Sequence, residues 1–177
     1  ETFIGSDNRK GGDLAGEYLA QALHDHGNVA VIEGFAGHET GDQRKGGFND
    51  AIARHPGIHI VASQPANWEQ EKAFNVTQNV LQAHPEVQGI FCCNDVMAMG
   101  ALEALSSANR KDVLLVGFDA SADARKAIKA GTMLASVAQY PSEMGRISVE
   151  SAVNLLGGKS LPPYIPTKVE VIDKSKL

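Results

Sequence analysis

With 177 residues, 43% of them hydrophobic and 21% charged, the chain is sized for one α/β domain with a substantial core. A net charge of −5 offers no basic face for nucleic acid or anionic lipid, and no apolar run approaches the roughly 20 residues that span a bilayer. No signal peptide is expected, because residues 1–5 (ETFIG) lead directly into a strand-like segment. The two cysteines, Cys92 and Cys93, are adjacent. Neighbouring Cα atoms lie ~3.8 Å apart, below the ~4.4 Å lower end for ordinary disulfides, so both thiols are expected to be reduced and buried.

Residues 2–6 form a strand stub, followed by the polar stretch 7–12 (DNRKGG). Helical spacing of Leu14, Tyr18, Leu19 and Leu23 predicts a helix over 13–24, ending before Gly27. Residues 28–33 (NVAVIE) are a buried-type strand. Thr40 and Gln43 fit a capping box for the helix that runs to about His55, where Pro56-Gly57 breaks it. A strand over 58–62, a loop over 65–68, a helix over 69–83 and a stop at His84-Pro85 follow. Then come a strand over 87–93, a helix over 95–107 and a strand over 113–118. A helix over about 122–130 ends at Gly131, and a strand covers 134–138. A helix over 141–156 stops at Gly157-Gly158; Pro162, Pro163 and Pro166 mark a linker, and 167–172 alternates like an edge strand. Strands alternating with helices of this length predict a doubly wound parallel sheet with helices on both faces.

In such a sheet the carboxyl ends of the strands share one edge, where ligands bind. Trp68, Asn94, Asp119 and Gln139 follow successive strands, and Arg44 is placed in the first turn of the helix after the first strong strand. Asp95 is expected to cap its helix, leaving the Asn94 side chain uncommitted. A cation, an indole, two amides and a carboxylate on one edge suit a neutral polyhydroxylated ligand, whose hydroxyls donate and accept while a C–H face stacks on a ring. Each residue also has a plainer reading. Asn94 caps a helix, Asp119 serves a turn, Trp68 packs in a core, and Gln139 satisfies backbone groups. Arg44 pairs with Asp42, Glu39 or Glu33, although a cation near a helix N-terminus opposes the macrodipole. No nucleophile with an adjacent base and no matched acid/base pair stands out, so no catalytic residue and no cofactor is assigned. His24-Asp25-His26, His55 with His59, and His38 beside Glu33 and Glu39 complete no metal set. Gly34-Phe35-Ala36-Gly37 lacks the spacing of a dinucleotide fingerprint. Gly46 and Gly47, inside a predicted helix, are explained by close packing of that helix on the sheet.

Six ordered motifs carry a resemblance. They are Ile4-Gly5-Ser6-Asp7-Asn8, Arg44-Lys45-Gly46-Gly47-Phe48, Ala62-Ser63-Gln64-Pro65-Ala66-Asn67-Trp68, Phe91-Cys92-Cys93-Asn94-Asp95, Val116-Gly117-Phe118-Asp119 and Val137-Ala138-Gln139. With them the chain resembles the ribose/allose-binding group of type 1 periplasmic sugar-binding proteins, a Rossmann/flavodoxin-like two-lobe fold. The resemblance implies that Arg44, Asn94, Asp119 and Gln139 hydrogen-bond a monosaccharide and that Trp68 packs against its ring. It also implies a periplasmic location, the membrane permease of an ABC-type importer as partner and, in some members, a chemoreceptor. On this comparison residues 1–139 are the C-terminal sugar-binding lobe. Residues 140–177 are a crossover helix and final strand belonging mainly to an N-terminal lobe that is missing here. The helix over 141–156 is then expected to expose Met144, Ile147, Val149, Ala152, Leu155 and Leu156, a face suited to homodimerisation. The alternative is the effector-binding core of a lac-repressor-like transcription regulator, which shares the fold and the Arg-x-x-Gly-Phe, Asn-Asp and Phe-Asp motifs.

Overall fold

The computed structural model describes residues 2–177. The strands are β1 (Phe3–Ser6), β2 (Gly27–Glu33), β3 (Ile58–Pro65), β4 (Val87–Cys92), β5 (Leu114–Asp119), β6 (Ala135–Ala138), β7 (Tyr164–Thr167) and β8 (Glu170–Ile172). The helices are α1 (Asn8–Ala22), α2 (Glu39–Ile52), α3 (Gln70–Ala83), α4 (Asp95–Ser107), α5 (Ala122–Ala130) and α6 (Pro141–Leu156).

The main sheet has the order β3-β2-β4-β5-β6-β8; β3 through β6 are mutually parallel, and β8 runs antiparallel to β6 at the edge. The apolar runs of β2, β4, β5 and β6 are buried, as strands covered on both faces must be. Helices α1 and α2 cover one face, and α3, α4 and α5 the other. The chain steps outward from β2 to β3 and then returns to start β4 on the other side of β2. The order therefore reverses between β2 and β4, and a crevice opens there above the strand ends. The doubly wound expectation holds.

β1 and β7 form a separate two-stranded parallel sheet, against which α6 packs. The single edge strand expected over 167–172 is thus two strands serving two sheets, with the change of direction at Lys168-Val169. Val169 and Ile172 are buried in the main unit, and Tyr18 of α1 donates to Asp173 at 2.7 Å, so β8 belongs to the large sheet. Helix α6 buries only Ser151 and leaves Val149 and Val153 about two-thirds exposed and Leu156 90% exposed. Met144 and Ile147 of the expected apolar face are half-buried instead, with the Met144 sulfur 3.8 Å from Ser6 Oγ of β1.

Helix α1 starts five residues earlier than its apolar spacing predicts. Asp7 caps it by accepting from the Lys10 amide, and Gly11 and Gly12 act as contact points within it. A Cβ on Gly11 would enter the Phe118 ring, one on Gly12 would strike the Arg44 carbonyl, and one on Gly47 would strike the Arg9 carbonyl. Gly46 and Gly47 of α2 therefore face α1, and not the sheet. No capping box forms at α2: His38 holds the cap position without a side-chain bond, and Gln43 donates to Glu39 at 2.8 Å. Glu39 already lies inside the helix, so Thr40 cannot occupy the cap.

The crossing separates two adjacent glycines. Gly47→Ala should destabilise the chain by about 1–3 kcal/mol, because the methyl meets backbone. Gly46→Ala meets only the Arg9 guanidinium tip, and the gain in helix propensity of up to about 1 kcal/mol should leave it neutral or stabilising. Urea denaturation midpoints of the two variants give the comparison.

Candidate functional site at the switch-point edge

Arg44 is the best-held of the five edge residues. It lies in the second turn of α2, not the first, because the helix begins at Glu39. Only 5% of the residue is exposed. Its Nε donates to Asn8 Oδ1 at 2.9 Å and its Nη1 to the Cys93 carbonyl at 2.8 Å, while Nη1 lies 3.5 Å from Asp119 Oδ1. The guanidinium sits 3.8 Å from the centroid of the Phe118 ring and 5.9 Å from that of Trp68. Burial lowers the pKa of Arg44 and the Asp119 carboxylate opposes the shift; a guanidinium stays charged throughout. The acidic neighbours on its own helix and on β2 are not its partners, since Glu33 pairs with Lys45 at 2.8 Å and accepts from Ser63.

Asp119 ends β5 with φ 118°, and Ala120 follows at φ 50°, two successive residues in backbone that side chains other than glycine seldom adopt. Its carboxylate accepts from Gln139 Nε2 at 2.5 Å, and Gln139 Oε1 accepts from Ser6 Oγ at 2.7 Å. Burial raises the pKa of Asp119, against the pull of Arg44, Gln139 and the Asp95 backbone. The side chain is still 33% exposed, so this chain of contacts opens to solvent at the carboxylate.

At the head of α4 the expected roles of two neighbours are exchanged. Asn94 is the cap residue: its Oδ1 accepts from the Met97 amide at 2.9 Å, so its side chain is not uncommitted. With its oxygen used in this way, the side-chain nitrogen of this half-buried residue is the remaining donor. Asp95 turns inward instead, accepting from the Ser121 amide and from Ser136 Oγ, each at 2.7 Å. Burial, with the charge of Asp119, pushes its pKa up to about 6 despite those two bonds.

Trp68 and Asn67 also have positive φ, 66° and 55°. The indole is half-buried, with its benzo edge in a notch that exists because Gly34 and Gly41 lack side chains, and His38 meets it edge-on at 6.0 Å. Gly34, directly after β2, and Gly41 thus cradle a tryptophan.

All five residues therefore lie along one edge. Arg44, Asp119 and Gln139 are directly linked, Asn94 follows the carbonyl that Arg44 holds, and Trp68 stands across the guanidinium. Sequence reasoning missed Asn8, Ser6 and Phe118 as contributors and misread Asp95. Asn8 and Ser6 sit in one of the six quoted motifs, but long-range partners are not legible from a strand-to-helix joint. A recess of about 330 Å³ lined by Phe3, Asn8, Glu39, Thr40, Gln43 and Tyr164 borders the same edge. A larger cavity, about 430 Å³, lies at the opposite end of β5 and β6 between α4 and α5 and contains none of these residues. Among the described residues no cluster of three or more His, Cys, Asp or Glu is arranged to hold a metal, and no helix is long and apolar enough to cross a membrane.

A parallel-sheet lobe with donors, acceptors and an aromatic ring converging on its switch point has the form of a ligand-binding domain. The profile of the periplasmic binding protein domain matches residues 2–160, and the chain belongs to that family. It is 41% identical over 173 residues to the ribose import binding protein RbsB of Salmonella typhimurium, covering 98% of this chain and 58% of that protein. To the D-allose-binding periplasmic protein of Escherichia coli it is 39% identical over 176 residues, covering 98% and 57%. Among solved structures, an ABC transporter periplasmic solute binding protein from Actinobacillus succinogenes 130z with bound D-allose superposes with a TM-score of 0.94 at 41% identity, over 99% of this chain and 62% of that one. The chain thus spans a little under three-fifths of the curated relatives it matches.

Two outcomes follow from the ionisable groups. Arg44→Ala should cost about 3 kcal/mol or more in urea denaturation, because it strands the partly buried Asp119 and the Cys93 carbonyl. Asp95 has a folded pKa raised above the ordinary carboxylate value of about 4. Its contribution to stability is therefore present below about pH 4 and lost as pH rises through about 6. The stability of the wild type relative to Asp95→Asn should fall across that window, and denaturation at pH 4, 5, 6 and 7 measures it.

Proposed function

We propose that this chain is the sugar-holding lobe of a two-lobed solute receptor for an ABC-type carbohydrate importer, with a monosaccharide such as ribose or allose as ligand. The observation that carries the reading is the Arg44–Asp119–Gln139 chain, open to solvent at its carboxylate, with the Trp68 ring and the Asn94 amide beside it. Asp119 accepts from ligand hydroxyls, Arg44 and the Asn94 amide nitrogen donate, and the indole offers a stacking face. The names of the relatives, which cite ribose and allose, favour a pentose or hexose. The role is binding, not catalysis, and the setting is the periplasm. The partners are the importer's permease and, in organisms that use such receptors for sensing, a chemoreceptor.

On this reading the part of residues 1–139 that builds the main sheet, from α1 onward, makes one wall of the sugar cleft. Helix α6, with the β1–β7 ribbon, is the seat of the opposing lobe, and β8 returns the chain to the first wall. The exposed stacked pair Phe3–Tyr164 and the apolar residues of α6 are the surface that lobe covers. Without the second wall the ligand is half-enclosed and affinity is reduced.

Calorimetric titration of the chain with ribose, allose and a non-sugar polyol tests the site. Binding of a monosaccharide should be weakened at least tenfold by Asp119→Ala. Equal heats from wild type and variant, or no heat from any sugar, would overturn the reading. Light scattering tests the α6 surface: mass should rise with concentration toward a dimer, and Val153→Glu should hold the chain monomeric.

A further inference from the structure

We propose that Asp95 is a positioning residue, whose buried carboxylate holds Asp119 in its ligand-facing conformation. Asp95 is 1% exposed, one residue past the Asn94 cap, and does not reach the solvent edge itself. Its two oxygens are used on the segment that follows Asp119. Oδ2 accepts from the Ser121 amide at 2.7 Å, and Oδ1 accepts from Ser136 Oγ, which in turn accepts from the Ala120 amide at 3.0 Å. The two residues after Asp119 are therefore each tied by their backbone N–H, one directly and one through a hydroxyl. This is where the backbone is least able to hold itself, since Asp119 and Ala120 both carry positive φ without being glycine. Two fixed amides beyond the turn define where the chain must leave β5, and so where the Asp119 carboxylate points.

A second observation agrees. A Cβ on Gly117 would collide with Asp95 Oδ1. The glycine two residues before Asp119 leaves the space into which the clamp fits. The charged and titratable groups around Asp95 are Asp119 at the end of β5, Arg44 from α2 and Cys92 at the end of β4. Burial outweighs the hydrogen bonds that would otherwise keep Asp95 acidic. A carboxylate kept inside the lobe on those terms needs a local use, and the turn after β5 is what it holds.

The inference rests on the carbohydrate reading for its effect on affinity, but not for its effect on the backbone, and the test separates the two. Ribose titrations are made on wild type, Asp95→Ala, Asp119→Ala and the double variant, together with amide hydrogen exchange by NMR. Asp95→Ala should weaken ribose binding about tenfold, Asp95→Asn should recover part of the loss, and Asp95→Ala should change affinity less than twofold when Asp119 is already alanine. Exchange of the Ala120 and Ser121 amides should rise at least tenfold in Asp95→Ala while amides in β2 and β4 stay protected. Should Asp95→Ala fail to fold, Ser136→Ala removes the Ala120 tie alone and gives the same comparison. Fully additive affinity losses, or Ala120 and Ser121 amides as protected as in wild type, would overturn the positioning role. If wild type gives no heat with ribose, allose or any other sugar titrated yet the two amides loosen in the variant, the clamp stands and the carbohydrate assignment fails.

Discussion

A desolvated guanidinium governs the arrangement. Removing an arginine from water is costly unless its donors find acceptors in fixed places, and Arg44 obtains them from three separate parts of the chain: the start of α1, the carbonyl at the end of β4, and the carboxylate at the end of β5. Phe118 closes the remaining side of the charge with a ring face. Because the cation comes from the helix after β2 while two of its acceptors stand at the ends of β4 and β5, satisfying it ties together the two sides of the point where the strand order reverses. The polar edge is a by-product of housing a buried charge.

That placement depends on a close helix crossing. Arg44 can reach both Asn8 and Cys93 only because α2 lies against α1 with no side chains between them at Gly12 and Gly47. Local preference would disallow these glycines, each costing about 1 kcal/mol in a helix interior, and tertiary contact overrides it. The same conflict between local cost and global arrangement recurs at Trp68 and Asp119, where positive φ is held by surroundings that determine it from several directions. Among the described residues, four of the seven non-glycine positions with positive φ (Asn67, Trp68, Asp119 and Ala120) stand at this polar edge, and the other three, His24, Asp25 and Asn109, follow the ends of α1 and α4.

The legibility of the sequence divides along these lines. Continuous apolar strands separated by amphipathic helices are local signals, and they carried the architecture, including the edge on which five side chains would meet. Errors arose where a local signal was overruled or where a partner was distant. Gly11-Gly12 looked like the end of a loop and lie inside the first two turns of α1. Thr40 and Gln43 had the spacing of a cap, but the helix had already begun. Asn94 and Asp95 exchanged roles because either can cap a helix, and only the positions of Ser121 and Ser136, 26 and 41 residues away, decide which turns inward. β7 and β8 merged in the sequence because a pattern of alternation does not say which sheet a strand joins.

The adjacent cysteines carry a consequence of their own. Both are fully buried where β4 ends, and burial raises each thiol's pKa, that of Cys93 to about 12. Nucleophilic sulfur is the deprotonated form, so while the domain is intact the pair is inert to electrophiles and oxidants, although the Cys93 carbonyl is held by Arg44 at the polar edge. Their reactivity is gated by separation of the central strand from its neighbours. The pair is thus an internal reporter of how often the heart of the sheet comes apart, free of any label that would disturb it.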